Sequence, residues 1–110
     1  MRIQVVVKLR TGAGKLEAHA ARRLRFAVAR FGGRVPRARV WIADGPRCTI
    51  DVECLVRVRV KGVGEVSVKT VAASPYTAIN MAMHRVRQSV ERAVQLQLSE
   101  QRGGLDLKRH

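Results

Sequence analysis

Between Arg47 and Val60 every second residue is apolar: Cys48, Ile50, Val52, Cys54, Val56, Val58 and Val60 share one parity. The other parity reads Arg47, Thr49, Asp51, Glu53, Leu55, Arg57 and Arg59. A helix would scatter this alternation around its axis, whereas a strand sends alternate side chains to opposite faces and gathers the apolar set on one. The run therefore predicts a long strand with one buried and one wet face. Helices covering such a sheet must all lie on its apolar side.

The rest of the chain fits that frame. Ile3, Val5 and Val7 alternate with Arg2, Gln4 and Val6, which predicts a first strand. Thr11-Gly12-Ala13-Gly14 is turn chemistry, and Leu16, Ala20, Leu24, Ala27 and Phe31 then recur at helical spacing. A helix is expected from Lys15 to Phe31, closed by Gly32-Gly33. In a second strand over Arg37 to Ala43, Ala38, Val40 and Ile42 oppose Arg37, Arg39 and Trp41, and Asp44-Gly45-Pro46 is a turn. Lys61-Gly62-Val63-Gly64 is a hairpin turn into a fourth strand, where Val66 and Val68 oppose Glu65, Ser67 and Lys69. Ser74 as N-cap and Pro75 at the first helical position open the last helix, with the stripe Tyr76, Ile79, Met83, Val86, Val90 and Val94. Periodicity stops near Ser99, so residues 1–99 read as one domain and 100–110 as a flexible C-terminal tail. The order is β-α-β-β-β-α. It implies an α+β two-layer sandwich, a four-stranded sheet with two helices packed on one face, in which three strands meander and the first joins through a helical crossover.

Charge narrows the function. Twenty-two Lys and Arg stand against eight Asp and Glu, a net charge of +14. Solubility needs far less than this, and so large an excess on one small domain is the footprint of a polyanionic partner. Two basic surfaces compete. The open sheet face would show Arg57 and Arg59 with Arg2, Arg37, Arg39, Lys61 and Lys69, around a Trp41 able to stack on a base or take an Arg over its ring. Asp51 and Glu53 share that face and would pair with neighbouring Arg across strands. The helices offer Lys15, His19, Arg22, Phe26 and Arg30 on one flank of the first, with Phe26 expected to pack under the adjoining loop, and Arg23 beside them. On the last helix Arg85 and Arg92, with Gln88 and Ser89 between them, are expected opposite the core stripe, roughly 10 Å apart along the axis. Glu91 is the single acid between Tyr76 and Leu98, so Arg85, Arg87 and Arg92 have little to neutralise them. The helical side is the favoured binding face.

Other function classes find little support. Asp44, Asp51 and Glu53 have no partner His at a recognisable spacing, and His19, His84 and His110 are scattered, so neither a catalytic constellation nor a metal site is read. No cofactor and no small-molecule substrate are expected. Cys48 and Cys54, six apart on one strand, would lie roughly 20 Å apart, too far for a disulfide, and read as free thiols in a reducing, cytoplasmic compartment. No apolar run approaches a membrane span.

Three stretches carry a family resemblance. The opening MRIQVVV, the helix LEAHAARRLRFAVARF with Leu16, Leu24 and Phe31 in place and a cation at Arg23, and above all SPYTAINMAMHRVRQSVERAV resemble the ribosome hibernation-promoting factors, also called ribosome-associated inhibitors or light-repressed protein homologues. Tyr76, Ala78 and Ile79 match the family's Tyr-x-Ala-Ile signature, and Arg85 and Arg92 match basic positions after it. The resemblance spans about residues 1 to 98. It departs at Gln88, where a basic residue is usual, at Asn80 and His84, which replace common acids, and in KLRTGAGK after the first strand. It implies binding to rRNA of the small ribosomal subunit in the channel for messenger and transfer RNA, blocking translation and preserving idle ribosomes without chemistry. The last eleven or so residues leave no space for the C-terminal dimerisation domain of long members, so a short form is expected unless a longer natural chain was truncated, and a free protein that is monomeric. The competing expectation is a generic module for structured, double-stranded RNA, since the β-β-β-α portion is like that of double-stranded RNA-binding domains.

Overall fold

The computed structural model describes residues 1–10, 14–45 and 51–108, with 100–108 described by backbone alone. Strand β1 (Arg2–Lys8), helix α1 (Leu16–Val28), a 3-10 segment (Ala29–Arg34), β2 (Arg37–Asp44), β3 (Val52–Val60), β4 (Gly64–Ala72) and helix α2 (Pro75–Lys108) follow in that order. The expected β-α-β-β-β-α succession is the observed one. The turn at 11–13 and the stretch 46–50, with Cys48 and the expected start of the third strand, lie outside the described residues.

The sheet order is β1-β2-β3-β4, with β1 parallel to β2 and the other neighbours antiparallel. Register lines the apolar parities into rows. Val5, Val40, Val56 and Val68 face one another across all four strands, flanked by Ile3-Ala38-Val58-Val66 on one side and Val7-Ile42-Cys54-Thr70 on the other. Both helices cover this face. Ten of the 21 buried hydrophobic residues among those described are valine and five are alanine, with no aromatic among them. Small, β-branched side chains suit a pleated surface and let the helices sit close to it. Leu24 and Ile79, fully buried, are the largest plugs between helix and sheet.

The helices run side by side in the same direction, since His19 meets Tyr76 near their starts and Arg30 meets Glu91 further along. The end of α1 differs from the expected single helix to Phe31. The chain tightens into 3-10 turns at Ala29, and Gly32 takes φ 56°, a conformation that ends regular helix and is cheap only for glycine. At the start of α2 the Ala78 N–H donates to the Ser74 carbonyl at 3.0 Å, so Pro75 occupies a position where a missing N–H costs nothing. The buried Thr70 hydroxyl donates to the Ala78 carbonyl at 2.7 Å and pins this first turn to β4. Tyr76, expected within the core stripe, is instead 45% exposed, because it sits at the helix start beyond the apolar rows.

Helix α2 then crosses the sheet back to the β3–β4 turn, where the Gln97 side-chain amide donates to the Gly62 carbonyl at 2.7 Å. Its backbone stays helical to Lys108, past Ser99 where the apolar periodicity stops. Glu100, Gln101 and Arg102 are good helix formers by intrinsic propensity, which accounts for the continuation up to Gly103. Gly62 sits at φ 80°, and a Cβ there would also run into the Gln97 amide. Gly62→Ala is expected to cost about 1–2 kcal/mol, mostly as backbone strain because the Gln97 side chain can swing away. A lower urea midpoint with unchanged m-value would register it.

Candidate nucleic-acid interface

The two-layer fold puts α2 beside β4, and its polar stripe borders an open groove of about 320 Å³. Arg85, Gln88, Ser89 and Arg92 form one wall at the i, i+3, i+4, i+7 spacing of a single helical face. Ser67, Val68 and Lys69 on the edge strand form the other. This stripe was expected opposite the core. It lies instead on the flank of α2 against the sheet edge, about 100° from the buried Val86 and Val90, and Ser89 is half-buried as a result. No carboxylate lines the groove among the described residues. Two exposed guanidiniums along one line, with amide and hydroxyl donors between them, suit the oxygens of successive phosphates.

The outer flank of α1 carries exposed Lys15, Arg22 and Arg23. Arg30 stays exposed but turns to the helix–helix seam, 3.6 Å from the Glu91 carboxylate of α2 and with its guanidinium 5.8 Å from the Phe31 ring centroid. Phe26 does not pack under a loop as expected. Its side chain is 76% exposed, because the 3-10 turn carries the chain back toward the sheet through Phe31 and Val35 instead. Arg87 is exposed on α2 but lies outside the groove.

Arg57 and Arg59 lie on the opposite, open side of the sheet. They line a shallow hollow of about 280 Å³ with Arg37, Arg39, Trp41 and Glu65. Arg57 lies 3.6 Å from the Glu65 carboxylate and covers the Trp41 ring at 5.5 Å, which is the arginine-on-tryptophan arrangement expected for this face. Glu53, expected to pair with a neighbouring Arg, pairs instead with Lys69 at 3.0 Å. The nine cations singled out in the sequence thus divide between two faces. Arg85 and Arg92 are brought together on one, and Arg57 and Arg59 on the other. Sequence reasoning missed the role of the β4 edge at residues 67–69 as the second groove wall. The only available signal was the hairpin order that leaves β4 outermost and next to α2.

No three His, Cys, Asp or Glu side chains come together as a metal site among the described residues. Burial pushes the Cys54 thiol up to about 12, and among the valines it behaves as a small hydrophobe. The His19 ring stands edge-on to Tyr76 at 4.9 Å, and its buried Nε2 has no hydrogen-bond partner. No helix among the described residues is long and apolar enough to cross a membrane.

The fold and these faces define a basic two-layer α+β domain with wet surfaces on both sides. No family model and no curated protein matches the chain. Among solved structures it is similar to the N-terminal domain of Protein Y from Thermus thermophilus, with a TM-score of 0.68 and 21% identity over 84% of this chain and 98% of that one. It is also similar to a ribosomal subunit interface protein from Coxiella burnetii, with a TM-score of 0.63 and 8% identity over 81% of this chain and 94% of that one. At these identities the likeness is one of fold.

Proposed function

We propose that the protein is a ribosome-associated factor that binds rRNA of the small subunit in the messenger and transfer RNA channel and holds ribosomes idle. The carboxylate-free groove between α2 and the β4 edge, with Arg85 and Arg92 on its wall, carries the reading. The Tyr76-Thr77-Ala78-Ile79 signature at the start of the same helix and a fold similar to that of a ribosomal subunit interface protein support the choice of partner. The binding unit is residues 1–99, with Lys15, Arg22 and Arg23 of α1 and Arg87 of α2 extending the charged surface. The protein works in the cytoplasm as a monomer when free, and binds without turnover.

Cosedimentation of purified protein with small subunits tests the assignment. Affinity should fall linearly on a log–log plot against salt, by roughly 0.7–0.9 per phosphate neutralised. A salt-insensitive affinity would mean that the cations are not the contact. The alternative, a module for any structured RNA, is favoured by one feature: the groove offers charge and shape but no apolar pocket for a base. Plain RNA duplexes separate the two, since the ribosomal factor needs the assembled subunit and the generic module does not.

A further inference from the structure

The open face of the sheet is not a uniform solvated surface. At the end near the 3-10 segment, register sets like charges directly opposite one another: Arg2 beside Arg37, Arg37 beside Arg59, and Arg39 beside Arg57. Directly opposed side chains on one sheet face are about 4.5–5.5 Å apart at Cβ, and like charges there are destabilising. Among the described residues Glu65 is the single carboxylate lining this end, and it engages Arg57. The other end behaves as a solvated face does, with Lys69 neutralised by Glu53. Between the two ends runs an apolar row, Val6, Trp41 and Leu55, all half-buried. The hollow of about 280 Å³ joins the arginine block to Trp41.

We propose that this face is a second nucleic-acid site, which takes a single-stranded segment with its phosphates on Arg37, Arg39 and Arg59 and a base on the Arg57–Trp41 stack. The opposed arginines are unfavourable alone and become favourable when an anion lies between them. Guanidiniums reach phosphate oxygens in pairs, and neighbours on one strand face, such as Arg37 and Arg39, are about 6.6–6.8 Å apart, so the block meets an extended chain of charges. The apolar row favours a single strand, whose bases are free to stack on a protein ring or guanidinium plane, over a duplex, whose paired bases are not. The domain then holds nucleic acid on both layers, a groove beside α2 and a platform on the sheet. This deepens the nucleic-acid reading of the preceding section and rests on it for the polyanionic partner, but not on the ribosome.

Trp41 is the only tryptophan of the chain, so its fluorescence reports this face and not the α2 groove. The whole protein is titrated at low salt with a short single-stranded oligouridylate, with oligothymidylate, and with inorganic polyphosphate. The nucleic acids should quench Trp41, and Arg37→Glu with Arg59→Glu should weaken that binding tenfold or more. Arg85→Glu with Arg92→Glu, which lowers the net charge by the same amount, should weaken the quench far less. Trp41→Leu, followed by fluorescence anisotropy of labelled oligouridylate, should weaken binding about tenfold, the scale of one lost base stack. Since that side chain is half-buried, circular dichroism accompanies it, and the arginine variants keep the test independent of its folding. Oligonucleotide binding without a Trp41 response, or a quench abolished by the α2 substitutions, would overturn the proposal. An equal quench by polyphosphate would also overturn it, by showing a surface for charge alone. Failure of the ribosomal reading looks different: wild-type protein that does not sediment with subunits yet still responds through Trp41.

Discussion

Reversing Arg85 and Arg92 together to glutamate will weaken binding to small subunits by on the order of a hundredfold or more, with the fold unchanged. Hydrogen bonds to charged groups contribute about 1.5–3 kcal/mol each, so losing two accounts for that scale before repulsion from the introduced carboxylates is added. Both side chains are exposed and neither joins the core or a described ion pair, so stability should stay within about 0.5 kcal/mol. Arg30→Glu is the informative contrast. Arg30 lies against Glu91 at the helix seam, and its reversal should disturb that seam more than it disturbs RNA binding. Filter binding or sedimentation at fixed salt, paired with urea melts, checks both halves of this expectation. Equal losses from the two variants would assign the effect to overall charge rather than to the groove.

Leu24→Ala will be the most damaging of the conservative core truncations, costing about 3 kcal/mol, within the usual 2–5 for a buried leucine. Leu24 is fully buried, and the residues around it on α1 are Ala20, Ala27 and Val28. These cannot spread into the space it leaves, because alanine has no rotamer to change and valine is stiff at χ1. The sheet below is equally unyielding, a row of four valines across four strands. Against a total of about 5–15 kcal/mol, such a loss is a large fraction, and Tm should drop by on the order of 10–20 °C. Arg23→Ala, the next residue and exposed, should be nearly silent. A Leu24→Ala protein with an unchanged melting curve would mean that α1 does not seat on the sheet as described.

Much of the architecture was legible because it rests on parity and period. The alternation through Val52–Val60 alone decided which side chains are buried, and all five even positions there are. The α2 stripe Ile79, Met83, Val86 and Val90 follows from helical spacing and is buried as read. What escaped the sequence depends on distant elements. Phe26 is displayed because a 3-10 turn redirects the chain after Ala29. Tyr76 is half-exposed because α2 begins before it has crossed the core, where its ring meets His19. The candidate sites were legible as a list of cations and not as places. Whether Arg37 meets Arg59 or a carboxylate depends on strand register, and a slip of a single residue would bring a different face to its partner. The second wall of the α2 groove required knowing that β4 ends the sheet.

We propose that the groove beside α2, with no carboxylate among its described residues, grips assembled small subunits. Sucrose-gradient sedimentation of the purified protein with its own small subunits at low salt, with and without Arg85→Glu and Arg92→Glu, tests it most directly. Wild-type protein should travel with the subunits and the double variant should stay at the top. Wild-type protein that stays at the top while shifting plain RNA duplexes, or a double variant that still travels with the subunits, would contradict the claim.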